Sequence, residues 1–214
     1  LNIGGEILAS GSLDGTVFLW NMKENEMLKS AKLFSKGSIK SLAFNSQEDI
    51  LAVGGEDGSL QFRSVPGLEL ISTLSAHKSS VAAGEFNTRG DIFVSGSKDG
   101  KLIVWDWKNK KQLSATKFED AVTDLKIHPK REEIAVGTAG GNFEIWSLLE
   151  AEQLQNINKF EAALTQVAFD NNGQRIISAL ENGSVHIWEY SKSLHLQTLT
   201  GHERPVESMD FSLD

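Results

Sequence analysis

The sequence has no cysteine, three prolines and one tyrosine in 214 residues. The missing thiol excludes disulfides, Cys-ligated zinc, iron–sulfur clusters and thiol catalysis. It suits a reducing interior, cytoplasmic or nuclear, where disulfides are rare. Long apolar runs are also missing. No stretch approaches the roughly eighteen residues of a membrane helix, so no membrane partner is expected. Basic excess is lacking too, with 21 Lys+Arg against 29 Asp+Glu and a net charge of −8. Such a chain is a poor generic phosphate binder, and direct nucleic-acid contact is not expected. The start, Leu1-Asn2-Ile3-Gly4-Gly5, carries no initiator Met, signal peptide or lipidation motif, and looks like that of a fragment or processed chain. What is present is a 40% hydrophobic composition, enough to bury a sizeable core and too high for disorder.

That apolar content is periodic. Gly15, Gly58, Gly100, Gly141 and Gly183 end the pairs Asp14-Gly15, Asp57-Gly58, Asp99-Gly100, Gly140-Gly141 and Asn182-Gly183, at spacings of 43, 42, 41 and 42. Five residues after each comes Trp20, Arg63, Trp105, Trp146 or Trp188. A second frame agrees. Ile39-x-x-Leu42-x-Phe44 recurs from Val81, Val122, Leu164 and Val206, at spacings of 42, 41, 42 and 42. All length variation falls after the Trp column, where a hairpin loop absorbs it cheaply.

Each repeat reads as four short strands. The first is the Ile39-type segment, and the second is small to β-branched, as in Ile92-Phe93-Val94-Ser95-Gly96. A Gly turn leads to an alternating third strand, as in Lys101-Leu102-Ile103-Val104-Trp105, and a polar loop to a fourth. No segment sustains a helical period; the nearest, 150–158, reads as loop or outer strand. Four strands per forty-odd residues, with Trp near the end of the third, is the blade of a β-propeller. Ala76-His77 and Gly201-His202 stand where a Gly-His pair would, and Trp105-Asp106 is a literal Trp-Asp. The chain therefore resembles the WD40-repeat β-propeller family over essentially its whole length. The expected fold is all-β, with four-stranded antiparallel blades in a single propeller domain over 1–214. Its repeats run approximately 1–34 (partial), 35–76, 77–117, 118–159, 160–201 and 202–214 (partial).

The resemblance implies a buried hydrogen-bond network in each blade, linking a His, a second-strand Ser or Thr, the turn Asp and the Trp. Carried over by column, the third repeat has the full set: His77, Ser95, Asp99 and Trp105. The first keeps Ser10, Asp14 and Trp20, and the fifth keeps Ser178 and Trp188 with Phe160 at the His position and Asn182 at the Asp position. The fourth keeps only Trp146, beside Phe118, Val136 and Gly140; the second keeps only Asp57, beside Ser35, Val53 and Arg63. Where the His goes, the hydroxyl can go too, because a lone buried polar group is costly.

A Ser/His/Asp set invites a hydrolase reading. Yet His77 and Asp99 share their 22-residue offset with Ser35 and Asp57, so the set is a repeat feature, and no Gly-x-Ser-x-Gly elbow is present. The chain is read as no enzyme, with no catalytic residue and no cofactor. Gly137–Gly141 lacks the Lys of a phosphate loop, and Asp170-Asn171-Asn172-Gly173 lacks most ligands of a calcium loop. His128, His186 and His195 show no paired metal-ligand spacing, so no metal is expected. Arg63, in a Trp column, reads either as a side chain snorkelling over its blade or as an anchor for a carboxylate or phosphate.

The family resemblance implies a platform for proteins and peptides, with contacts around the mouth of a central channel. Two columns should face it. One is the residue after the first apolar residue of the first strand: Lys40, Ala82, Thr123, Thr165 and Glu207. The other precedes the turn Asp or its equivalent: Leu13, Glu56, Lys98, Ala139 and Glu181. None is aromatic, which argues against a cage for methylated side chains. The mixed charge suits a polar or charged peptide. The expected function is a non-catalytic scaffold mediating protein–protein or protein–peptide interactions within a multiprotein complex. Alternatives are a WD subunit of an RNA-processing or transcription assembly, or a propeller enzyme.

Leu1 aligns with Phe169 and Phe211, so the chain reads as starting before a second strand and stopping after a first. Three strands, four full blades and one first strand (Val206–Phe211) make twenty, five blades' worth. Three readings stay open: part of a larger, seven-bladed ring; a closed five-bladed ring; or assembly of an open ring with further copies or a partner chain.

Overall fold

A computed structural model describes residues 4–35, 37–47 and 49–211 of the chain. It is all-β apart from one short 3-10 turn at Tyr190–Lys192. The first sheet has three strands: β1 (Ile7–Gly11), β2 (Thr16–Asn21) and β3 (Glu26–Lys32). Four antiparallel sheets of four strands follow, each in chain order. They are β4 (Ile39–Phe44), β5 (Ile50–Gly55), β6 (Ser59–Ser64) and β7 (Leu70–Ser75), then β8 (Val81–Phe86), β9 (Ile92–Ser97), β10 (Lys101–Asp106) and β11 (Lys111–Lys117). The fourth sheet holds β12 (Val122–Ile127), β13 (Glu133–Thr138), β14 (Asn142–Ser147) and β15 (Gln153–Lys159). The fifth holds β16 (Leu164–Phe169), β17 (Arg175–Leu180), β18 (Val185–Glu189) and β19 (Leu194–Leu199). The segment at 150–158, with the weakest strand signal, becomes an outer strand, β15.

The chain divides into two compact units. One comprises Leu1–Asp99 with Ile103–Leu113, and the other Gly100–Leu102 with Ser114–Asp214. In the first unit, Leu60 and Phe62 of β6 lie in one apolar cluster with Phe86, Phe93, Trp105 and Trp107. A second cluster joins Val17 and Leu19 of β2 to Leu51 and Val53 of β5. In the second unit, Phe143 and Ile145 of β14 pack with Leu164, Val167, Ile176, Trp188 and Tyr190. Each core thus lies between consecutive sheets. This follows from alternation along the third strands, which sends Leu60 and Phe62 to one face and Gln61 and Arg63 to the other.

Each third strand is entered through a turn whose glycine has positive φ: +82° at Gly15, +84° at Gly58, +77° at Gly100, +84° at Gly141 and +84° at Gly183. The repeated glycines are therefore conformational requirements. The next repeat crosses close over them, with His77 N bonded to Gly58 O at 3.0 Å and Phe160 N to Gly141 O at 2.9 Å.

One expected strand is not there. Val206–Phe211 has the first-strand pattern but forms no strand, so the described residues hold nineteen strands rather than twenty. The segment lies along β16 through side-chain bonds: Thr165 Oγ1 donates to Val206 O at 2.6 Å, and Met209 N donates to Gln166 Oε1 at 2.5 Å. A first strand needs a second strand for its ladder, and none pairs with this segment among the described residues. Leu1, on which the expected starting frame rests, lies outside the described residues.

Candidate functional site

The third repeat carries one continuous polar chain, all within the first unit. His77 Nδ1 is 3.3 Å from Asp99 Oδ1, and His77 Nε2 is 2.8 Å from Ser95 Oγ. Trp105 Nε1 donates to Ser95 Oγ at 3.0 Å, and Lys78 N donates to Asp99 Oδ2 at 2.8 Å. The indole can only donate and the carboxylate only accept, so the protons run one way: indole to hydroxyl, hydroxyl to imidazole, imidazole to carboxylate. That is the proton order of a hydrolytic triad. Here, however, the Ser95 oxygen already accepts from Trp105, and Ser95 and the His77 side chain are both 0% exposed. No substrate carbonyl reaches the hydroxyl in this arrangement.

The other repeats solve the same problem differently. In the first, Trp20 Nε1 donates to Ser10 Oγ at 3.0 Å, while Asp14 Oδ1 accepts from Thr16 N at 2.9 Å within its own turn. Asp57 and Asn182 likewise turn back on Ser59 and Ser184. Residues opposite one another on the second and third strands decide where the Trp-column donor goes. Val136 pairs with Glu144, and Val53 with Gln61. Trp146 Nε1 donates to Glu144 Oε2 at 2.9 Å, and Arg63 Nε donates to Gln61 Oε1 at 3.1 Å. Ser10 pairs instead with Phe18. The acceptor has moved across the ladder to the neighbouring strand. Arg63 also donates through Nη1 to Leu68 O at 3.1 Å, and burial pulls its pKa below the usual guanidinium value. Its donors are engaged inside the blade, which favours the packing reading over a ligand anchor.

This exchange is testable. Glu144→Leu removes the acceptor of a half-buried indole and should cost about 1 kcal/mol in urea unfolding. Adding Val136→Ser restores an acceptor at the other position and should recover at least about half of that loss in a double-mutant cycle.

The fifth repeat departs from the expected pairing. Ser178 Oγ and Trp188 Nε1 are both buried, and neither has a hydrogen-bond partner among the described residues. Trp188 is held by rings instead, with Phe160 at 6.2 Å, Phe143 at 6.5 Å and the edge of His195 at 4.8 Å. Phe160 fills the His position with an apolar ring that offers the hydroxyl no nitrogen.

The two rim columns are brought side by side in each full repeat. Glu56 N donates to Ser38 O, Lys98 N to Ser80 O, Ala139 N to Ala121 O and Glu181 N to Ala163 O, each at 2.9–3.0 Å. Each acceptor immediately precedes a first strand. Every first strand then bulges at its second residue, so Lys40, Ala82, Thr123 and Thr165 drop out of the ladder. A bulge re-aims a side chain, and the sequence pattern gave no sign of it. In the first unit Leu13 is 79% exposed, and Lys40, Glu56 and Lys98 are exposed. Two bonds from Ser38 to Glu56 Oε2, then the charges of Lys40 and Lys98, hold the Glu56 carboxyl below its usual pKa. In the second unit Glu181 and Glu207 are exposed, but the hydroxyls are used: Thr123 Oγ1 donates to Gly137 O and Thr165 Oγ1 to Val206 O.

Sequence reasoning missed two features of the second unit. One is a cavity of about 680 Å³ lined by Lys130, Arg131, Gln174, Arg175 and Tyr190 over a buried His128. Desolvation lowers the His128 pKa, and its Nε2 lies 3.0 Å from Gly173 O. Tyr190 donates to Glu133, and burial followed by that carboxylate raises the phenol's pKa. The other is the meeting of His186 and His195, with facing ring nitrogens 3.3 Å apart. Nine residues apart across a hairpin, they carry no signal in one dimension. Just beyond the third strands, Trp107 and Leu148 are buried and Leu149 is exposed.

The comparisons agree with this geometry. The family model described as "Vps42 beta-propeller" matches residues 27–135, about half of the chain, and that of the "WD domain, G-beta repeat" matches 1–21 and 152–189. Among curated proteins, the human F-box-like/WD repeat-containing protein TBL1Y is 30% identical over 114 residues, 47% of this chain and 22% of its own. The mouse F-box-like/WD repeat-containing protein TBL1X is 30% identical over 114 residues, 47% of this chain and 21% of its own. The chain spans about a fifth of the length of these relatives. With five Gly-turn and Trp-column repeats folded as consecutive antiparallel sheets, the chain belongs to the WD40-repeat β-propeller family.

Proposed function

We propose that this chain is a non-catalytic interaction scaffold that binds polar or charged segments of partner proteins as a subunit of a multiprotein complex. The observation that carries this reading is the cluster Lys40, Glu56 and Lys98 in the first unit. The bulge at Lys40 takes that residue out of the ladder, and Glu56 is fixed by two bonds from Ser38. Both lysines act electrostatically on the same carboxylate. A rigid, exposed plus–minus–plus arrangement recognises a peptide by charge pattern rather than by a large aromatic anchor. The family is typically non-catalytic, and the Ser–His–Asp chemistry of the third repeat is spent on the buried network described above. The relatives, being WD-repeat proteins, support an interaction role in general terms.

Affinity capture from cell extract tests the proposal. Lys40→Glu with Lys98→Glu should remove at least one partner that the parent chain retains, and the loss should be greatest at low salt, where exposed charges are least screened. Retention of every partner by the double variant would sink the rim as the binding surface. Nucleic acid recovered with the chain, falling steeply with salt, would favour an RNA-processing or transcription assembly instead.

A further inference from the structure

His186 on β18 and His195 on β19 face each other across the outer pair of the fifth sheet. His186 Nδ1 is 3.3 Å from His195 Nε2, and Thr198 Oγ1 lies 3.0 Å from each of those nitrogens. Proton accounting shows what meets there. Asn182 Oδ1 accepts from the Ser184 backbone N–H, so that atom is the amide oxygen. Ser184 Oγ is 2.7 Å from the same oxygen and must give it its only proton. Ser184 Oγ is also 3.0 Å from His186 Nε2, and with its proton spent it accepts from Nε2–H there. His186 Nδ1 is therefore the bare nitrogen, with its lone pair directed at His195 Nε2 and Thr198 Oγ1.

Hydrogen bonds can satisfy this triangle in one way: His195 Nε2–H donates to Thr198 Oγ1, whose own proton goes to His186 Nδ1. That leaves the two ring nitrogens 3.3 Å apart with no proton between them. The same spacing fits a bound ion. Zinc–imidazole bonds of about 2.0–2.1 Å at a tetrahedral angle place the two nitrogens about 3.3–3.4 Å apart. We infer that His186 Nδ1 and His195 Nε2 form two corners of a binding site for a borderline divalent transition metal, Zn²⁺ or Cu²⁺. The Thr198 hydroxyl, 3.0 Å from each nitrogen, is a weak third donor, and solvent completes the shell.

Several features of a metal site are already built. The far nitrogen of His186 is held by Ser184 and, behind it, Asn182, which fixes the tautomer and ring plane as outer-shell partners do in metalloproteins. The His186 ring packs on Phe160 at 4.7 Å, and His195 stands edge-on to Trp188 at 4.8 Å. A cavity of about 590 Å³ reaches His186 and Thr198, though not His195, so solvent has access to one side of the cluster. The chain has no cysteine, so imidazole is its softest strong donor and no thiolate competes for the ion. No third His, Asp or Glu joins the pair among the described residues. The site should therefore bind more weakly than a closed four-ligand structural zinc site.

Calorimetric titration of the purified chain with ZnCl₂, and with CuCl₂ in parallel, tests this inference. The parent should bind one equivalent of either ion, Cu²⁺ the more tightly. His195 is exposed, so His195→Asn should fold as the parent does in EDTA, with a melting temperature lowered by no more than its ring contact with Trp188 accounts for. It should nonetheless bind Zn²⁺ at least about tenfold more weakly, a loss that removal of even an outer-shell partner can produce. His202→Asn, outside the cluster, should bind as the parent does. If the parent takes up no Zn²⁺, or if His195→Asn loses less than about tenfold in affinity, the inference fails and the three residues are a hydrogen-bonded cluster only.

Discussion

Gly58→Ala should be among the most damaging single-methyl changes in this chain, lowering unfolding free energy by about 2–5 kcal/mol. Two independent penalties add. The residue sits at φ +84°, where an L side chain meets its own backbone. The new Cβ would also press on main chain that cannot rotate away: His77 O and C, and Ser79 O at 2.9 Å. Those atoms are held where they are because His77 N bonds back to Gly58 O. Gly5 separates the two penalties. It has φ +70° with nothing near the position of a Cβ, so Gly5→Ala should cost only the backbone term, about 1–2 kcal/mol. Chemical denaturation of both variants beside the parent measures the difference. Equal losses would show that the close crossing at Gly58 relaxes freely.

Asp99→Ala should destabilise by about 1–3 kcal/mol, through the groups it leaves behind. Its carboxylate takes the His77 Nδ1 proton with one oxygen and the Lys78 backbone N–H with the other. The His77 side chain is 0% exposed, so the lost acceptor is only poorly replaced by water. Asp57→Ala is the matched control, since among the described residues that carboxylate bonds only to Ser59, within its own exposed turn. Its cost should stay below about 1 kcal/mol, the scale of a local side-chain cap. Melting temperatures that fall equally for the two variants would mean that the buried chain from Asp99 to Trp105 adds nothing to stability.

The strand plan was legible because strands and turns are local devices. Alternation sends successive side chains to opposite faces, so the Trp column and the residues two before it could be placed on one face without coordinates. The turn glycines were legible for a similar reason, because positive φ is a property of one residue. The hydrogen-bond partners were only half legible. Column matching pointed to Ser95 for Trp105, and that bond is present. It pointed equally to Ser178 for Trp188, where no bond is made. Glu144 and Gln61 escaped notice because their role depends on which residue stands opposite them on the next strand. Val206–Phe211 has a first-strand pattern and forms no strand, because a pattern specifies a face but cannot supply a partner.

By itself, then, the amino-acid order determined the repeat, the four-strand unit, the Gly turns and the columns from which a binding surface could be drawn. These follow from periods of two residues and of about forty-two. Tertiary structure alone decided that the first strands bulge at Lys40, Ala82, Thr123 and Thr165, that the threonine hydroxyls are consumed, and that His186 and His195 meet. Each of those outcomes is a distance between residues far apart in the chain or on different strands. Ladder register and sheet packing set such distances, and no local preference encodes them.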